Sequence, residues 1–60
     1  MTTQVIHDRV HDVNLVFNTE TLDWDYFANQ EYVDTVSSNE VQYLLENLKK
    51  YFTDPDWYNK

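Results

Sequence analysis

The sequence contains no glycine and a single proline in 60 residues. Glycine is the residue that enters left-handed backbone without steric cost, so a chain lacking it has few ways to turn tightly. Any hairpin it forms is expected to use a longer polar loop rather than a two-residue glycine turn. The same absence removes the phosphate-cradling loop and the nucleophile elbow. It also argues against a flexible linker, and the two Trp, five Tyr and three Phe argue against disorder in spite of the net charge of -7. The expectation is a single small folded domain over 1–60, with 53–60 as a tail that is either mobile or packed back on the core.

Cysteine is missing as well, so neither a disulfide nor a thiolate metal site can staple so short a chain. At this size apolar burial and the entropy cost of ordering nearly cancel, and a bound partner or a second copy would relieve the shortage. No apolar run approaches the length of a membrane-spanning helix. The first residues, MTTQVIHDRV, lack the basic and then apolar pattern of a secretion signal. Cytoplasmic residence is the expectation.

Periodicity suggests an α+β fold. Val41, Leu44, Leu45, Leu48, Tyr51 and Phe52 recur at three- and four-residue steps and predict an amphipathic C-terminal helix over 38–52. Ser37 and Glu40 have capping-box spacing, Val36 and Val41 that of a hydrophobic staple, and Pro55 marks the stop. Leu22, Trp24 and Tyr26 alternate with Asp23 and Asp25, and Val13, Leu15 and Phe17 alternate upstream. Together they predict an N-terminal β-hairpin closed by a four-residue loop around 18–21. Residues 27–36 suit a short helix capped by Asn29, with a third strand as the competing reading. The first twelve residues are read as a long strand bulged near Val10. A small three-helix bundle is the alternative architecture.

Charge is segregated along the chain. Between Val10 and Leu48 there is no Lys or Arg, whereas Asp12, Glu20, Asp23, Asp25, Glu31, Asp34, Glu40 and Glu46 all fall there. Such a surface attracts basic partners and repels nucleic acid. Asp23 and Asp25 on one strand would stand about 6.6–7 Å apart, which admits a nucleic-acid mimic that fills a basic groove. The candidate partner-binding residues are Asp23, Asp25, Glu31 and Asp34, with Tyr26 and Tyr43 as aromatic contacts; Trp24 is either a further contact or core. In bulk composition the chain resembles small phage- or plasmid-encoded inhibitors that occlude a host enzyme.

His7 and His11 would share a helix face but stand about 13 Å apart on a strand, so no metal site is expected there. Nor is a catalytic residue or a cofactor expected. The functional expectation is a small acidic module that binds and occludes a basic surface of a partner protein, plausibly a nucleic-acid-handling enzyme, without binding nucleic acid or membrane. The alternative is a homodimer or accessory subunit that uses the Leu44, Leu45, Leu48 and Phe52 stripe as its interface.

Overall fold

Alternating side chains build five strands. β1 (Gln4–Asp8), β2 (Val13–Phe17), β3 (Trp24–Ala28) and β4 (Glu31–Val36) run as an antiparallel meander. Two short helices, α1 (Ser38–Gln42) and α2 (Leu44–Leu48), follow, and β5 (Pro55–Asn59) returns antiparallel to β1. The sheet order is β4-β3-β2-β1-β5, which leaves β4 and β5 as edges. The computed structural model describes residues 3–59; Met1 and Thr2 of the expected first strand and Lys60 of the expected tail lie outside the described residues.

Register sorts the side chains onto two faces. Asp34, Tyr26, Leu15, Ile6 and Trp57 stand side by side on the face that the helices cover, next to Val36, Trp24 and Phe17. Ile6, Leu15, Trp24 and Val36 meet Val41, Leu48 and Phe52 there to form the core, with Val13, Phe17, Tyr26 and Tyr51 at its margin. The opposite face carries two mixed rows, Thr35-Asp25-Val16-Val5-Tyr58 and Tyr32-Phe27-Asn14-His7-Asp56. Only Val5 is fully buried on that face, as suits the open side of an antiparallel sheet. The accessible surface is 4359 Å², close to the roughly 4,200 Å² of a compact globule this size.

The expected α+β arrangement is corrected to a five-stranded antiparallel sheet with two helices of five residues each, and no three-helix bundle forms. Residues 27–36 are not a helix. Asn29 and Gln30 take φ of 54° and 67° and form a two-residue hairpin turn between Ala28 and Glu31. Positive φ at both central residues is the geometry of the tight hairpin turn that glycine usually supplies. The expected bulge near Val10 is absent, because β1 ends at Asp8; the irregularity falls in β4, where Val33 is the extra residue between Tyr32 and Asp34.

The hairpin read from alternation does exist, as β2 and β3 at the centre of the sheet. Its loop is closed by the Asn18 N–H, which donates to the Asp23 carbonyl at 2.8 Å around Thr19–Leu22. Leu22 is therefore a loop residue, held at φ 65°.

The predicted helix 38–52 breaks at Tyr43, whose φ and ψ are -87° and 55°. Ser37 caps its start, accepting the Asn39 N–H at 3.2 Å. At the break, the Glu40 carbonyl accepts the Asn47 side-chain amide and the Tyr43 N–H. A side chain inserted into the helical ladder is a known cause of a sharp kink. The kink divides the apolar stripe. Val41, Leu48 and Phe52 are buried, whereas Leu45 is 77% exposed and Tyr43 73%. No described helix is long and apolar enough to cross a membrane.

Candidate functional site

The residues singled out from sequence do not form one row. Asp25 projects from the open face, whereas Tyr26 and Asp34 are cross-strand neighbours on the covered face. Asp23 sits in the β2–β3 loop, where it accepts the Ser38 N–H at 3.4 Å. Glu31 opens β4 at the far end of that strand, beside Ala28. Tyr43 projects from the helix break, and Trp24 is core, 5% exposed.

Four carboxylates nevertheless surround the β4–α1 junction. Asp25 lies opposite Thr35, Asp34 precedes Thr35, Asp23 holds Ser38, and Glu40 follows in α1. Two of them flank an aromatic pair: the Tyr26 and Tyr51 rings meet edge to face at 5.0 Å. Burial, and then the negative charge of Glu40 and Asp34, push the Tyr51 phenol above its ordinary range. Glu40 therefore belongs with Asp34 and Tyr26, which its capping-box spacing had concealed. Its spacing from Asp34 carries no periodic signal, since one is on a strand and the other on a helix.

Arg9 lies at the other end of the sheet. It sits in the β1–β2 turn and pairs with Asp56 at 3.0 Å, which holds its guanidinium more firmly charged. Lys49 and Lys50 follow α2 in the segment that leads to Thr53 and Asp54, which Asp8 holds. Asp8, Asp12, Glu31, Asp54 and Asp56 share the Arg9 end, so that end is mixed in charge, whereas the β2–β3 loop, β3, β4 and α1 carry carboxylates and no Lys or Arg.

Beside the junction an open cleft of ≈ 270 Å³ lies between the sheet and the broken helix. Trp24, Val41, Leu44 and Trp57 form its apolar walls; Gln4, Ser38 and Gln42 complete it. The two indoles meet at 90° with ring centres 5.7 Å apart. Trp57 stays 42% exposed because it belongs to the edge strand β5. The Ser38 hydroxyl donates to the Leu22 carbonyl, which ties the loop bearing Asp23 to the cleft wall. The pairing of sequence-distant Trp24 and Trp57 left no trace in periodicity.

The histidines do not converge. His7 Nδ1 bonds Asn14 Oδ1 at 2.9 Å on the open face, while His11 Nδ1 bonds Asp8 Oδ2 at 3.0 Å. Among the described residues no group of three or more His, Cys, Asp or Glu side chains is placed to hold a metal ion.

Asp8 has a different task. It is fully buried, and its carboxylate accepts the Val10 and Asp54 N–H groups on one oxygen and the Thr53 N–H and His11 on the other. Burial alone would raise its pKa. The hydrogen bonds from Thr53, Val10, His11 and Asp54 outweigh that and hold it well below the usual carboxylate range. The β1–β2 turn is thereby fastened to the segment that leads into β5.

Compared with known proteins, the chain matches no family model, no curated protein and no solved structure.

Proposed function

We propose that this chain is a small acidic module of the cytoplasm that docks onto a basic surface of a partner protein and occludes it. One observation carries the reading: Asp23, Asp34 and Glu40, with Asp25 on the open face, lie around the β4–α1 junction, and the β2–β3 loop, β3, β4 and α1 that meet there contain no Lys or Arg. Charge sorted in this way orients an approaching partner before contact and speeds its association. Tyr43 and the Tyr26–Tyr51 pair add polar-tipped aromatic area beside the carboxylates, of the kind that suits cationic side chains. A basic nucleic-acid-handling surface is the partner chemistry that fits, and the docked module would deny it to phosphate. The contact face differs from the one read from sequence, because Glu31 is replaced by Glu40.

The second reading, a homodimer or accessory subunit, keeps only part of its interface. Leu44 and Leu45 are exposed, but Leu48 and Phe52 are core. Two copies each carrying -7 also repel one another.

The test compares two variants that each remove four negative charges. One carries Asp23→Asn, Asp25→Asn, Asp34→Asn and Glu40→Gln; the other carries Asp12→Asn, Glu31→Gln, Glu46→Gln and Asp54→Asn. Immobilised protein is exposed to lysate of the source cell at about 0.05 M and about 1 M salt, where the screening length shrinks to about 3 Å. The expected outcome is a salt-sensitive partner whose capture falls roughly tenfold in the first variant and little in the second. Equal losses in both would show that total charge matters and its placement does not, and would overturn the reading.

A further inference from the structure

The cleft beside the acidic junction has the core residues Trp24 and Val41 as its floor and the more exposed Leu44 and Trp57 as its outer walls. Its ≈ 270 Å³ fall short of the roughly 300–1,000 Å³ that enclose cofactors and metabolites, but suffice for one large side chain. Its walls are apolar at Trp24, Val41, Leu44 and Trp57, and Trp57 lies on an edge strand, so entry is open from the side. Asp23 stands at the rim through its bond to Ser38, and neither the β2–β3 loop nor α1 contains a Lys or Arg. Leu22, next to Asp23, is 62% exposed and held at positive φ, an arrangement that core packing does not require.

From this we infer that the cleft is an anchor site for one aliphatic or aromatic side chain of a partner protein segment, and that lysine or arginine residues flank that side chain. The inference rests on the docking reading above and specifies the segment that it accepts. Charge decides among occupants. A second copy of this chain would bring its own carboxylates against the rim, and a nucleic acid would bring phosphates, whereas a basic segment is attracted. The apolar residue would add the specificity that charge alone lacks, since it becomes dehydrated against the two indoles.

Both tryptophans of the chain line the cleft, so intrinsic fluorescence reports directly on it. The probes are three capped pentapeptides: leucine between two pairs of lysines, alanine between two pairs of lysines, and leucine between two pairs of glutamates. The leucine–lysine peptide is expected to bind roughly tenfold tighter than the alanine–lysine peptide, to shift the emission to shorter wavelength and to weaken with salt. The Leu44→Ser variant should erase the leucine advantage, and Leu45→Ser, outside the cleft, should keep it; a melting curve on each verifies folding. Equal, salt-sensitive binding of the leucine–lysine and alanine–lysine peptides would overturn the anchor site and leave the acidic docking reading standing. Binding of the glutamate peptide as tightly as the lysine peptides, or no binding by any peptide up to about 5 mM, would overturn both.

Discussion

Asp8 does for this chain what a disulfide does for other mini-proteins. Its single carboxylate joins residues 45 and 46 positions apart in sequence, Thr53 and Asp54, to the first turn. From the sequence, Asp8 reads equally as a second ligand beside His7 and His11 or as a plain surface acid. An Asp two residues ahead of a donating N–H is an Asx-turn signal, and the Val10 bond follows from it, but the distant donors had no local signature. The lowered pKa has a consequence for stability. A carboxylate whose folded pKa lies below its unfolded value contributes fully above the unfolded value, near 4, and that contribution is lost as pH falls through it toward the folded value. Melting temperature measured from neutral pH downward should therefore drop steeply below about pH 4 in the natural protein. Asp8→Asn should melt lower at neutral pH, because its amide turns a donor toward other donors, and should show a shallower acid limb. Parallel profiles for the two proteins would assign the acid sensitivity to other carboxylates.

At the scale of elements, the strands were legible where burial alternates and illegible where the turns break a rule. β2 and β3 follow from Val13, Leu15, Phe17, Trp24 and Tyr26, each facing the helices in step. β4 was misread as a helix because no glycine marks the Asn29-Gln30 turn, and the chain accepts positive φ there instead. The C-terminal stripe had helical spacing throughout, but spacing could not reveal that Asn47 would cap the Glu40 carbonyl and break the helix. Left-handed backbone costs a non-glycine residue about 1–2 kcal/mol, partly offset by the extra freedom glycine has when unfolded. Gln30→Gly should accordingly stabilise the fold by about 0.5–1 kcal/mol, raising the melting temperature by a few degrees. Leu22→Gly should do the same and should also weaken capture of the partner if the exposed leucine contributes to the contact. A Gln30→Gly protein that melts lower would refute the strained-turn account.

At the scale of the molecule, the sequence revealed the excess of acid but not its address. Carboxylates that are distant in sequence, Asp23 and Glu40, reach one junction because β4 hands the chain to α1 beside the β2–β3 loop. Glu31, close to Asp34 in sequence, is carried away along the strand. The tryptophan cleft thus adjoins carboxylates of the β2–β3 loop, β3, β4 and α1, which carry no Lys or Arg, whereas the opposite end mixes Arg9 with Asp8, Asp12, Glu31, Asp54 and Asp56. We place recognition at the carboxylates around this cleft. Amide chemical shifts, followed while the leucine–lysine peptide is added, test it most directly. The account predicts that the largest changes fall on Leu22–Asp25, Asp34–Leu44 and the Trp57 indole, and that Arg9–Asp12 and Lys49–Asp54 stay still. Changes centred on the Arg9 turn, or spread evenly over the whole surface, would contradict it.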